Sequence, residues 1–135
     1  MFSKFRSEIK VRPDDVDVNN HVHFTKYLDY VLAARYDQME NNYKFPMDDF
    51  LKRKLTWVVS KTTIEYKRSL MMGDTALVET GMESFGGANC TVDFTIFNKK
   101  TMKIVATGKF FYTLVSSETG RPVRLPDDVI SYYSI

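Results

Sequence analysis

Between residues 5 and 12, Phe5, Ile9 and Val11 alternate with Arg6, Glu8, Lys10 and Arg12, the period-two pattern of a half-buried strand that Pro13 ends. Residues 14–22 are rich in Asp and Asn, whose side chains bond to nearby backbone, and they read as a loop. From about residue 24 to 43, Phe24, Tyr27, Leu28, Val31, Leu32, Ala34, Tyr36 and Met39 recur at three- and four-residue spacings with no interior Gly or Pro. That spacing predicts a long amphipathic helix. Pro46 followed by Asp48 and Asp49 predicts the start of a short second helix ending near Lys54. Four segments rich in β-branched and aromatic residues follow, at 56–67, 74–84, 88–98 and 103–116. The short turns between them favour antiparallel neighbours. The expected architecture is α+β, one domain over residues 1–135 with an antiparallel sheet of about five strands.

One helix covers only one face of such a sheet. With 18 Tyr and Phe residues in the chain, the uncovered surface and strand edges predict a homo-oligomer, a dimer or a dimer of dimers.

Composition narrows the function classes. The 44% hydrophobic and 27% charged residues are ordinary globular usage, and a net charge of +2 provides no global field for nucleic acid. Cys90 is the one cysteine, so no intrachain disulfide is available and a cytoplasmic location is expected. Apolar runs fall well short of a membrane span, and no export signal is read at the N-terminus.

The chemistry concentrates in residues 12–27, where Asp14, Asp15 and Asp17 precede a predicted helix N-terminus. The first N–H groups of a helix lack intrahelical partners and can polarise a carbonyl or hold an oxyanion. A carboxylate on the same loop could attack a carbonyl or activate water. A thioester suits so spare a site, because a thiol with pKa ~8.5 leaves with little acid assistance. The competing reading is that these Asp residues only shape a turn or cap the helix. His21 and His23 could ligate a metal, but no third ligand is evident and none is expected. A His/Asp pair could alternatively serve a hydratase or dehydratase, and a thioester-binding module without catalysis would use the same groove. Cys90 lies in a strand pattern without a neighbouring His and reads as packing.

Asp15-x-Asp17, His21-Val22, Tyr27-Leu28-Asp29-Tyr30 and Ala34-Arg35 resemble the N-terminal signature of the 4-hydroxybenzoyl-CoA thioesterase family. Ile64-Glu65-Tyr66, Gly73-Asp74 and the stretch from Gly120 to Val129 are similar to its later landmarks in the same order. The resemblance implies a hot-dog fold, a curved antiparallel sheet around a long central helix, with subunits joined through their sheets. It implies an acyl-CoA or acyl-carrier-protein thioester as substrate and no cofactor. It assigns Asp17 as nucleophile or general base, the backbone N–H near Phe24 to the carbonyl, and loop support to Asp15. His23, Tyr27 and Trp57 are candidates for the acyl pocket. Lys61 and Arg68, among Lys67, Lys99, Lys100, Arg121 and Arg124, are candidates for the coenzyme A phosphates. Many relatives have Gly at the place of Asn20, Asn at those of His23 and Phe24, and an acid where Leu32 or Ala33 stands.

Overall fold

The apolar stripe of the long helix decides where everything else goes. In the computed structural model, which describes residues 2–135, helix α1 (Lys26–Asn41) buries Tyr27, Tyr30, Val31, Ala34, Arg35, Gln38 and Met39 against a sheet. α1 begins two residues later than its periodicity suggests, with Thr25 at the cap and Phe24 in the turn before it. It stops where the N–H groups of Asn42 and Tyr43 both return to the Gln38 carbonyl. Lys44 then takes a left-handed φ of 64°, the usual exit from a helix.

The strands are β1 (Lys4–Lys10), β2 (Leu55–Tyr66), β3 (Thr75–Gly86), β4 (Asn89–Asn98) and β5 (Ile104–Ser116), with the short helix α2 (Met47–Lys52) ahead of β2. They form one antiparallel sheet in the order β1-β3-β4-β5-β2. This is the hot-dog arrangement. A C-terminal helix α3 (Asp127–Tyr133) also forms, which hydropathy along the chain did not predict. Its seven residues bury only Val129 and Tyr133, too few to establish a period.

A flat sheet could not wrap a helix. Register shifts between Val59 and Lys61 in β2, and between Met82 and Ser84 in β3, are the bulges that bend the strands. Gly108 of β5 pairs with Ile64 on one side and Phe94 on the other. A Cβ there would lie 2.0 Å from the Thr63 carbonyl oxygen and 2.6 Å from the Phe94 ring. The ring of Phe94 occupies the space that a side chain at 108 would need.

Two apolar clusters result. One joins Tyr27, Tyr30, Val31 and Ala34 of α1 to Val78, Phe94, Ile96, Ala106 and Phe110 of the sheet. The other lies toward the helix C-terminus, where Met39, Tyr43, Phe50, Leu114, Leu125, Val129 and Tyr133 meet. β2 is an edge strand of 12 residues, and much of it is exposed, including Val58, Val59 and Tyr66. No helix among the described residues is long and apolar enough to cross a membrane.

Gly108→Ala is expected to lose about 2–3 kcal/mol of unfolding free energy, because backbone at Thr63 cannot yield as a flexible side chain would. Urea denaturation of the variant beside wild type, read at the transition midpoint, checks it.

Candidate functional site

The segment from Arg12 to Phe24 is folded by its own backbone before any side chain acts. Pro13–Asp15 makes one turn of 3₁₀ helix. The chain then returns on itself, with Val16 bridged to Val22 and the His23 N–H donating to the Asp15 carbonyl at 2.8 Å. Val18 stands fully exposed at the tip. Asn20 sits at φ 63°, a left-handed conformation that Gly adopts freely and Asn tolerates better than most residues. The Gly/Asn difference from relatives at this position therefore concerns turn geometry. The Asn20 side-chain oxygen also accepts the Met72 N–H at 3.2 Å.

The two carboxylates of the Asp15-x-Asp17 pair have opposite environments. Asp15 is 4% exposed, and one of its oxygens accepts the Arg12 N–H at 3.0 Å and the Tyr30 hydroxyl at 2.7 Å. It ties the loop to the inner face of α1. Asp17 is only half-buried, and its Oδ1 accepts the N–H groups of Asn19 at 2.8 Å and His21 at 3.1 Å. Oδ2 has no partner among the described residues. The His21 N–H, followed by a smaller opposing effect of burial and then the Asn19 N–H, holds the Asp17 carboxyl below its usual pKa.

The loop leads into α1 through a turn in which the Lys26 N–H donates to the His23 carbonyl at 2.9 Å. The amides of Phe24 and Thr25 have no backbone or side-chain acceptor among the described residues. They are the first free donors after the His23 amide, which Asp15 occupies. Tyr66, at the end of β2, donates its hydroxyl to the Phe24 carbonyl at 3.0 Å and packs edge-on against the Phe24 ring. Sequence alone gave Tyr66 no role beyond a landmark, since 42 residues separate it from its partner. The 66–74 connection completes the wall: Val22 N–H donates to the Leu70 carbonyl at 2.9 Å, and His21 bridges to Met71.

The remaining candidates are dispersed. His23 is exposed on the loop and Phe24 is 68% exposed. Tyr27 does not line an open groove; it belongs to the core, with its oxygen accepting the Leu70 N–H at 2.9 Å. Helical periodicity turns residue 27 inward with 30, 31 and 34. Trp57 is half-buried between Phe50 and Tyr112. Lys61 lies over the Phe111 ring at 5.3 Å, and Arg68 donates to the Ile104 carbonyl at 2.8 Å. Lys67 and Lys99 are paired with Glu65 and Glu8. Among the described residues Lys61, Arg68, Lys100, Arg121 and Arg124 have no carboxylate partner. Nor do three His, Cys, Asp or Glu side chains converge there as metal ligands would.

A second feature was not legible in the sequence. A cavity of about 250 Å³ opens between the C-terminal half of α1 and the sheet, with Leu32, Arg35, Tyr36, Trp57, Cys90 and Tyr112 on its wall. Burial pushes the Cys90 thiol up to about 12, which leaves it protonated and unreactive.

Comparison with known proteins gives a family and a fold. A family model described as the thioesterase-like superfamily matches residues 11–131. The long-chain acyl-CoA thioesterase FadM of Escherichia coli is 23% identical over 124 residues, 92% of each chain. A DHNA-CoA thioesterase structure from Staphylococcus aureus superposes with a TM-score of 0.89 at 23% identity, covering 97% of this chain and 89% of the other. A 1,4-dihydroxy-2-naphthoyl-CoA thioesterase structure from Synechocystis gives 0.86 at 15% identity, covering 97% and 96%.

Removing the Asp15 carboxylate leaves a buried Tyr30 hydroxyl without its acceptor. Asp15→Ala is expected to cost about 2–3 kcal/mol of stability and Tyr30→Phe about 1 kcal/mol. Chemical denaturation of both variants measures the difference.

Proposed function

The chain belongs to the thioesterase-like superfamily, and on that footing we propose that it is an enzyme hydrolysing acyl-CoA thioesters to a carboxylic acid and free coenzyme A. The observation that carries this reading is the pairing, on one loop, of a carboxylate held through a single oxygen with two unsatisfied amides at the entry to a 16-residue helix. In this reading the thioester carbonyl oxygen accepts from the Phe24 N–H, where helix dipole and free donor both favour developing negative charge. The free Oδ2 of Asp17 attacks the carbonyl carbon or takes a proton from an attacking water. The tetrahedral intermediate collapses with loss of the coenzyme A thiolate, which needs little acid assistance. Where water attacked, this gives the acid directly; where Asp17 attacked, it gives an acyl–Asp17 anhydride that water then hydrolyses to the acid and the free carboxylate.

Asp15 is a positioning residue, because it touches only the loop and Tyr30. Tyr66 holds the Phe24 carbonyl and so orients the Phe24–Thr25 peptide, which carries the second free amide, that of Thr25, and follows the donor directly. Arg68 is better placed for a coenzyme A phosphate than Lys61. It precedes Leu70, which pairs with the catalytic loop, whereas Lys61 lies farther back along β2. His23 and Trp57 remain candidates for contact with the acyl group, and Tyr27 supports them from the core.

The same reading includes a homodimer, or a dimer of dimers. The 12-residue β2 has only β5 as a neighbour, and its outward-facing backbone groups lie unpaired beside exposed Val58, Val59 and Tyr66, a surface that a second copy would cover. Light scattering of the purified chain is expected to give twice or four times the 15.7 kDa monomer mass.

Thiol release from short, long and aromatic acyl-CoAs tests the reaction. Asp17→Asn is expected to lower kcat/KM by roughly two to four orders of magnitude. If wild type frees no thiol from any acyl-CoA or acyl-carrier-protein ester, hydrolysis is excluded; if Asp17→Asn keeps full activity, only the residue assignment fails.

The lowered pKa fixes the sign of the pH dependence. A depressed carboxyl stays ionised as pH falls, so the active form persists to lower pH than an ordinary Asp would allow. Titration of Asp17 is expected to leave kcat/KM flat between about pH 5 and 7. An acid limb centred within that range, absent from the stability profile, would contradict Asp17 as the working group.

A further inference from the structure

Arg35 is a buried cation. It is 7% exposed, and its guanidinium donates to the Thr80 hydroxyl at 3.2 Å and the Met82 sulfur at 3.8 Å, with the Tyr43 ring 5.5 Å away. No carboxylate lies within ion-pair distance among the described residues. The nearest compensation is indirect. Thr80 donates to the Gln38 side-chain oxygen, Gln38 donates to Ser7 at 3.0 Å, and Ser7 donates to Asp37 at 2.6 Å. That chain aligns dipoles toward Arg35 but leaves a full charge in the interior, which is costly unless something answers it.

Arg35 also lines the 250 Å³ cavity, whose other walls are mainly apolar. The space exceeds the ~150 Å³ pocket that holds a benzene ring. Within it the charge is felt: burial chiefly, and in the opposite direction Arg35, act on Cys90 and Tyr112. A row of apolar side chains runs from the loop along the helix to the cavity. Phe24, Leu28, Leu32 and Tyr36 are spaced four apart, all at least partly exposed, and Leu32 and Tyr36 are on the cavity wall. From Lys26 to Arg35 the helix advances roughly 14 Å.

We propose that this cavity receives an acyl group that is apolar along its length and ends in a carboxylate, which pairs with the Arg35 guanidinium. The substrate class is then an ω-carboxyacyl thioester rather than a plain fatty acyl thioester, a refinement that rests on the thioesterase reading. The fork of a guanidinium suits a carboxylate in two-point contact, and Leu32 and Trp57 hold the methylene chain. A neutral pocket would penalise a terminal carboxylate by its desolvation, so the direction of the preference is diagnostic.

The test separates ligand chemistry from catalysis. Trp57, the one tryptophan in the chain, lies on the cavity wall and reports binding by fluorescence. The probes are N-methyloctanamide and the same amide with its far methyl replaced by a carboxylate; neither has a thioester to cleave. Wild type is expected to bind the carboxylate-ended amide on the order of tenfold to a hundredfold more tightly. Arg35→Met is expected to invert the order, and Arg35→Lys to keep part of the preference, having charge without the fork. Equal or tighter binding of the methyl-ended amide by wild type overturns the proposal, as does a preference that survives in Arg35→Met. If Arg35→Met fails to fold, wild type and Arg35→Lys still decide. Thiol release from octanoyl-CoA and 7-carboxyheptanoyl-CoA runs in parallel. A carboxylate preference with no thiol release sinks the hydrolase reading alone, whereas thiol release without that preference sinks the proposed acyl specificity alone.

Discussion

Burying one helix under one sheet is the constraint from which the rest of this molecule follows. α1 presents an inward stripe from Tyr27 to Met39 that a flat sheet could not cover. Bulges in β2 and β3 bend the strands, and Gly108 lets β5 pass close to Thr63 and Phe94. The same wrapping fixes the entry to α1 at one end of the sheet, where the 66–74 connection pairs with the Asp17 loop. It also leaves β2 as a long open edge.

Local chemistry treats Asp15 and Asp17 as equals, but the fold separates them. The inward stripe carries Tyr30 to a position where its hydroxyl reaches Asp15, and that carboxylate becomes a buried structural anchor. Asp17, two residues on, faces outward with one oxygen tied to the loop and the other open. A site of this kind depends on rigidity more than on number of groups. Asn20 supplies the left-handed turn, Asp15 the anchor and Tyr66 the hold on Phe24, so the Asp17 carboxylate and the free amides before α1 are both held in place by residues around them.

The interior beside the C-terminal half of α1 carries a polar network. Arg35, Gln38 and Thr80 are all buried, and they form a directed chain of hydrogen bonds with Ser7 that reaches the surface only at Asp37. Satisfied networks of this kind give a core one arrangement and resist repacking. Here the network also keeps a cation at the wall of an apolar space, which simple packing would not require.

Much of the architecture was readable along the chain. Strand alternation, helical spacing and turn chemistry located all five strands and the first two helices to within a few residues, because each depends on near neighbours. The acidic loop before α1 was readable for the same reason, and the order of its motifs indicated the family. Tertiary structure decided what depends on distant partners. It set apart Asp15 from Asp17 through Tyr30, placed Tyr27 in the core, gave Tyr66 its hold on Phe24, formed α3 against the second cluster, and left Arg35 facing a cavity. Periodicity reports which side of an element is buried, but it does not report which residue 40 positions away meets that side. The function of a buried polar group is decided by that meeting.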